Sequence, residues 1–242
     1  MTIPTPLKRT ALHYKHLALG AAMVDEEGWQ RPERYGQPEE ELQAVRERVG
    51  LCDISPVGKL DLKGRQLAPV LARLFSPEIL PPVGRGQRMV QKDTNEITEV
   101  KGVCCRLSRD HVILLTEPGT AVTVEQTFTQ LHTTEECIHL TNLTSALAAV
   151  QLVGPCSHEL LRKLTALDLS PQQFADLTCV QGEIAKVHAL VIRADVGSKL
   201  AYEVYCGREF AEYVWDTLRD AGQEFAAVPF GVATQRLLRA EE

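Results

Sequence analysis

The sequence lacks the features that mark three classes of protein. Its seven cysteines include no Cys-x-x-Cys pair, so the paired spacing of a zinc site or a disulfide framework is missing, and we expect reduced thiols and no metal. The net charge is −6 and the basic residues form no run, which argues against a nucleic-acid partner. No apolar segment approaches the roughly 18 residues of a membrane span.

The N-terminal region also lacks the apolar run of a signal peptide. Lys8 and Arg9 are followed by apolar residues that Tyr14, Lys15 and His16 soon interrupt. We therefore expect a cytoplasmic protein that contacts neither membrane nor nucleic acid.

What is present is a mixture of helix patterns and strand patterns over 242 residues, with some of the strands in hairpins. Helices are predicted from Pro38 to the stop at Gly50, around Leu67 to Leu74, from Val124 to Leu131, from a Ser157 cap onward, and from Arg208 to Ala221. Strands are predicted at 57–62, 97–107, 111–116, 138–140, 147–153, 183–193 and 200–206. Hairpins mixed with helices predict an α+β fold, with helices packed on antiparallel sheets.

The segment from Tyr14 to Lys59 carries the most specific pattern. It contains the runs His16–Asp25, Gly28-Trp29-x-x-Pro32-x-x-Tyr35, Ala44-Val45-Arg46 and Gly50–Lys59. In this order and at these gaps, the segment resembles the opening of the folate-dependent aminomethyltransferases, the T-proteins of the glycine cleavage system. Leu152-Val153-Gly154-Pro155, Tyr202-Glu203-Val204 and the segment 231–241 resemble later motifs of that family.

The resemblance implies a fold and a cofactor. The fold would be the folate-binding domain, spanning residues 1–242 as two intertwined lobes. Family members continue into a β-barrel domain of roughly a hundred residues, so we expect either a short natural version or a truncated one. The reaction implied is one-carbon transfer to tetrahydrofolate, from a donor that is often held on a lipoyl carrier.

Glu203 is the candidate cofactor-binding carboxylate. A pterin ring presents a donor-rich, guanidine-like edge, for which a carboxylate is the natural acceptor. Glu203 matches the family's pterin-binding position, although the motif glycine two residues earlier is Ala201 here. The alternative is a solvent-facing charge on an amphipathic strand.

Glu99 is the candidate catalytic acid. The family places a proton-handling Asp in a Gly-Gly-x-x-Asp-Asp turn, and the corresponding window, Asn95–Lys101, has neither the glycines nor the Asp pair. Glu99 could stand in for that acid, whereas an ungapped alignment puts Val100 there. The alternative for Glu99 is a charged hairpin edge.

Gln235 stands where the family has a folate-contacting Arg, so we expect it to line the cofactor site without the charge. The family's Tyr-Thr-Gly-Glu turn is 196–199 here, and its His-Met pair falls on Pro56 and Val57. Together these differences suggest a different ligand or no catalysis.

Three functions therefore remain open. The first is a folate-dependent one-carbon transferase. The second is a non-catalytic folate-binding or assembly subunit that docks on a lipoyl carrier or an oxidoreductase. The third is a relative of folate-binding iron–sulfur repair proteins, whose Lys-Gly-Cys-Tyr-x-Gly-Gln motif is not found in residues 1–242.

Two further patterns have simpler explanations. His13 and His16 lie three residues apart, on one face of a predicted helix, but no third ligand is in a plausible place. We expect His16 to pack or hydrogen-bond. Cys104 and Cys105 are neighbours in a predicted strand, so their thiols should point to opposite faces.

Overall fold

The computed structural model describes residues 7–76, 79–91, 100–131 and 137–241. The chain forms two compact units that are interleaved in sequence. Unit 1 comprises Met1–Ser55, Leu147–Asp176 and Gln181–Glu242, and unit 2 comprises Pro56–Ala146 and Leu177–Val180. Among the described residues, no helix is long and apolar enough to cross a bilayer.

The secondary-structure elements follow in chain order. The helices are α1 (His13–Ala18), α2 (Pro38–Glu47), α3 (Leu67–Leu74), α4 (Ala121–Leu131), α5 (Ser157–Arg162), α6 (Ala211–Gly222) and α7 (Val232–Arg239). The strands are β1 (Lys8–Arg9), β2 (Ala22–Glu26), β3 (Trp29–Arg34), β4 (Gly50–Asp53), β5 (Gly58–Gly64), β6 (Phe75–Ser76), β7 (Arg85–Gln91), β8 (Lys101–Ser108), β9 (His111–Thr116), β10 (Ile138–Asn142), β11 (Leu147–Val153), β12 (Cys179–Ile184), β13 (Val187–Arg193), β14 (Ala201–Gly207) and β15 (Val228–Pro229).

Unit 1 is built on a mainly antiparallel sheet. Its strand order among the described residues is β12-β13-β14-β11-β4-β15. The β13–β14, β14–β11 and β11–β4 pairs are antiparallel, and the β4–β15 pair is parallel. α6 packs against β11 and α5 against β14, with Trp215 and Leu218 of α6 fully buried. A smaller sheet, β1-β3-β2, packs through β3 against α7.

Unit 2 is a second sheet with two helices on one face. Its order within the described segments is β10-β5-β9-β8-β7-β6. Alternate residues of a strand point to opposite faces, and one face places Leu60, Leu62 and Leu114 in a core cluster with Leu71 of α3 and Val124 of α4. Burial of each such side chain contributes about 1.5–3 kcal/mol, which holds the two helices on the sheet.

The predicted α+β class is confirmed, as are most of the elements. The helix predicted from Pro38 begins there, with Pro at its first position and acidic residues in its first turn. The strand predicted at 147–153 has those bounds. The hairpin predicted around 108–110 is β8–β9, although the start of its first predicted strand, 97–99, lies outside the described residues.

Two predictions were wrong in detail. Ser157 is not a helix cap: its hydroxyl donates to the Gly154 carbonyl oxygen at 2.7 Å, and the helix ends at Arg162. The strand predicted over 183–193 is broken by a turn at Ala185 and Lys186, whose φ angles are 52° and 67°. The segment therefore belongs to two strands, β12 and β13.

Candidate functional site

The candidate site is one face of the sheet of unit 1. In the strand register, Glu203 lies opposite Ile192 on one side and Gln151 on the other, and Gln151 lies opposite Cys52. Residues opposite each other in antiparallel strands share a face, so these four side chains form a row across β13, β14, β11 and β4. At 4.7–4.9 Å per strand, the backbones of Glu203 and Cys52 lie about 10 Å apart.

The other face of this sheet is occupied by helices. Asp53, Val150 and Val204 share that face by register. The Asp53 carboxylate lies 3.0 Å from His16 Nε2, and the His16 ring stands edge-on to Trp215 of α6, with centroids 5.2 Å apart. The row containing Glu203 therefore faces away from α6.

Glu203 is held in a fixed orientation. The Tyr205 hydroxyl donates to its Oε2 at 2.6 Å, and Gln151 Nε2 donates to its Oε1 at 3.3 Å. Tyr205 and Gln151 are themselves buried, while Glu203 is half-buried. The carboxylate is thus neither a fully exposed charge on an amphipathic strand nor an isolated charge in the core. Bonds from both sides orient it as an acceptor.

Gln235 is buried on α7, at the β4–β15 edge of the same sheet. α7 follows directly from β15, which pairs with β4. The Gln235 Oε1 atom accepts a hydrogen bond at 3.3 Å from Nη2 of Arg31 on β3. Where the resemblance placed a charged residue, the structure therefore has a neutral amide in contact with a guanidinium from another strand.

The start of α7 is fixed by a buried carboxylate, Glu41 of α2. Its Oε1 accepts from the backbone N–H groups of Tyr35 and Gly36, at 2.6 and 3.0 Å. Its Oε2 accepts from the Gly231 N–H at 3.0 Å and the Thr234 hydroxyl at 2.7 Å. Four donors thus tie α2, the turn after β3 and the first turn of α7 to one side chain.

A second buried hydrogen-bond network lies on the face of the sheet that α6 occupies. His16 Nδ1 lies 2.8 Å from the Tyr35 hydroxyl, and Nε2 contacts Asp53. Burial opposes ionisation of Asp53, but its hydrogen bond to His16 and the charge of His16 keep the pKa of the carboxyl below its usual value. Burial, together with Cys52 and Asp53, raises the pKa of Tyr35. His16 therefore has the hydrogen-bonding role expected of it.

Two buried thiols, Cys52 in unit 1 and Cys104 in unit 2, are poor nucleophiles. Burial raises the pKa of the Cys52 thiol to about 12, and it raises that of Cys104 to about 12 as well. The described residues contain no group of three or more His, Cys, Asp or Glu side chains that could hold a metal ion.

The third candidate residue, Glu99, lies outside the described residues. Its neighbour Val100 is described and belongs to the buried core cluster of unit 2. An ungapped alignment puts Val100 at the acid position, so this position carries an apolar core residue. A catalytic role for Glu99 stays a prediction.

Sequence reasoning missed Arg31 and Glu41. Both lie in or beside recognisable motifs, Arg31 between Trp29 and Pro32 and Glu41 in the acidic start of α2. A charged residue between Trp and Pro in a strand is the one signal that could have marked Arg31 as unusual.

Comparison with known proteins gives relatives over nearly the whole chain. The chain is 29% identical to an aminomethyltransferase of Anoxybacillus flavithermus, covering 97% of this chain and 64% of that protein. It is 32% identical to sarcosine oxidase subunit alpha of Corynebacterium sp. strain U-96, covering 98% of this chain and 26% of the subunit. The chain thus spans less than two thirds of either relative.

Solved structures share the fold. The glycine cleavage system aminomethyltransferase T from Bartonella henselae superimposes with a TM-score of 0.84 at 17% identity, covering 96% of this chain and 62% of that one. A chain of the heterotetrameric sarcosine oxidase from Corynebacterium sp. U-96 gives a TM-score of 0.61 at 20% identity, covering 91% of this chain and 97% of that one. The family model of the GCVT N-terminal domain matches residues 12–242, and the chain therefore belongs to the GCVT N-terminal domain family.

Proposed function

We propose that this protein binds a reduced folate and takes part in one-carbon transfer to tetrahydrofolate. The observation that carries the proposal is the orientation of Glu203. The Tyr205 hydroxyl and the Gln151 amide align its two carboxylate oxygens on the sheet face that points away from α6. A fixed carboxylate suits the paired N–H donors of a pterin edge. Membership of the family supports the choice of folate over other donor-rich rings.

Unit 1 has polar groups of the kinds that such a ring would need. Glu203 would hold its donor edge, and the buried Arg31 beside Gln235 would provide a cation for electronegative oxygens. When bound, tetrahydrofolate supplies the nitrogen atoms that accept the one-carbon unit. The protein's own share is to orient the ring through Glu203 and to hold a proton at an acidic side chain, for which Glu99 is our candidate.

The test is a matched pair of charge-removing variants. Glu203→Gln keeps the shape of the side chain and removes its charge, and a hydrogen bond to a charged group is worth about 1.5–3 kcal/mol. We expect the Kd for tetrahydrofolate to rise by about 10- to 150-fold, as measured by calorimetry without oxygen. Glu183→Gln, an exposed carboxylate on β12, is the control and should leave the Kd unchanged. Equal affinity of Glu203→Gln and wild type would refute the role of Glu203.

A second candidate function is that of a folate-binding or assembly subunit without catalysis. The observation that favours it is the coverage of the sarcosine oxidase chain: this fold fills 97% of one chain of a heterotetramer, so it can serve as a subunit on its own. The partner would be an oxidoreductase subunit or a lipoyl carrier. Affinity purification from the native host followed by native mass spectrometry should give a complex of fixed stoichiometry. A 26.8 kDa monomer without partner would count against this function.

A further inference from the structure

Arg31 is a buried cation with an incomplete set of partners. Its side chain is 5% exposed, Nη1 donates to Glu26 Oε2 at 2.7 Å, and Nη2 donates to Gln235. A guanidinium has five N–H donors and cannot be deprotonated in a protein. The Nε atom is buried and has no hydrogen-bond partner within the part of the chain that the structure describes. An unsatisfied buried donor is costly, so this atom points to an absent acceptor.

The charge around Arg31 is only partly balanced. The Glu26 carboxylate also accepts from Arg236 on α7, so one carboxylate serves two guanidinium groups. Arg239, one turn after Gln235, adds a second positive charge on α7. The nearby carboxylate of Glu41 accepts from four neutral donors and does not contact these arginines in the bonds described above. An acceptor with negative charge would be stabilised here.

Arg31 is linked to the β4 end of the row formed by Ile192, Glu203, Gln151 and Cys52. Its partner Gln235 is on α7, which leaves the sheet at the edge next to β4, and Cys52 of β4 is the last member of the row. The charges of Arg31 and Arg239 lower the pKa of the Cys52 thiol, although burial raises it more. Through Gln235 the guanidinium is therefore linked to the β4 side of the row, and Glu203 lies two strands away on β14.

We propose that Arg31 is the cationic specificity residue of the folate site, binding an acceptor oxygen of the cofactor on the β4 side of Glu203. This inference rests on the proposed function. Two oxygens of a folate have the required chemistry, the oxo group of the pterin ring and the carboxylates of the glutamate tail. The guanidinium that would bind this oxygen belongs to Arg31 of β3, since Gln235, the α7 residue in contact with Arg31, is a neutral amide.

The experiment moves the guanidinium between the two positions. Arg31→Met removes the charge and keeps an apolar side chain, and Arg31→Met combined with Gln235→Arg returns a guanidinium to the same space from α7. We expect the Kd for tetrahydrofolate to rise at least tenfold in the single variant and to return within threefold of wild type in the double variant. Arg34→Met, which removes an exposed guanidinium from the same strand, is the control and should change the Kd less than twofold.

A tail-free probe identifies the oxygen. If Arg31→Met weakens tetrahydropterin and tetrahydrofolate equally, the ring oxo group is the acceptor; if it weakens only tetrahydrofolate, the tail carboxylate is. An unchanged Kd in folded Arg31→Met, judged by a cooperative melting curve, would overturn the inference while leaving the role of Glu203 standing. Absence of folate binding by the wild-type protein would overturn both.

A second variant covers the case in which Arg31→Met does not fold. Gln235→Glu places a carboxylate against Arg31 Nη2, where it would pair with the guanidinium and compete with the ligand's oxygen. We expect at least tenfold weaker binding of tetrahydrofolate, with a melting temperature no lower than that of wild type. Unchanged affinity in this variant would contradict a contact between Arg31 and the cofactor.

Discussion

Replacing Glu41 by Gln should destabilise the protein, because four donors share this one buried carboxylate. The amide of Gln has only one oxygen. If that oxygen faces the N–H groups of Tyr35 and Gly36, the NH2 group faces Gly231 and Thr234. The Thr234 hydroxyl can then turn to the Pro38 carbonyl oxygen, 3.2 Å away, and accept from the amide. The Gly231 N–H group cannot turn to another acceptor in this way, so it is left without one.

The size of the effect follows from this count. One buried N–H without an acceptor costs about 1–3 kcal/mol, and the bonds that remain lose the extra strength of a charged acceptor. We therefore expect the free energy of unfolding to fall by about 2–4 kcal/mol, a large share of the roughly 5–15 kcal/mol of a typical domain. Because Gly231 starts α7, the placement of Gln235 should loosen as well.

Urea denaturation measures this directly. The midpoint should fall at an unchanged slope, since the surface exposed on unfolding is the same. Glu40→Gln is the matched control, because Glu40 is the exposed neighbour on the same helix and a surface change of this kind stays within about 0.5 kcal/mol. If Glu41→Gln were as stable as Glu40→Gln, the carboxylate would not be what holds α7 in place.

Two further predictions concern the elements around the site. His16 holds the pKa of Asp53 below its usual value. The contribution of Asp53 to stability should therefore be complete above about pH 4 and be lost as the pH falls below that value. When the free energy of unfolding is measured against pH, Asp53→Asn should lose less stability in acid than wild type, and equal slopes would contradict the pairing. Gly231→Ala would place a Cβ 2.1 Å from the Glu33 carbonyl oxygen, whereas Gly36→Ala meets no atom closer than 3.9 Å. We expect the melting temperature to drop by several degrees only in Gly231→Ala. Equal melting temperatures would show that α7 can shift away from β3 at no cost.

The sequence predicts the fold well where local patterns are strong. α2 has Pro at its start and acidic residues in its first turn, and β11 is a short apolar run between turn residues, so both were located correctly. The turn at Ala185 and Lys186 was missed because neither residue signals a left-handed backbone. The turn becomes evident only in the fold, where β12 and β13 are neighbours in the sheet and these two residues connect them.

The site is less predictable, because its contacts join residues that are far apart in sequence. Glu203 was identified from a motif, but its alignment by Gln151 depends on the register of β11 and β14. The contact between Arg31 and Gln235 spans 204 positions, and no local pattern indicates it. From the sequence, position 235 has lost the positive charge that the resemblance implies. In the fold, the guanidinium of Arg31 on β3 lies beside that position.

The most direct test of this account is a calorimetric titration of the wild-type protein with tetrahydrofolate under anaerobic conditions. The oriented carboxylate of Glu203 and the buried guanidinium of Arg31 predict binding in the micromolar range, about −8 kcal/mol. Absence of both binding heat and a ligand-induced rise in melting temperature would contradict the proposed folate site.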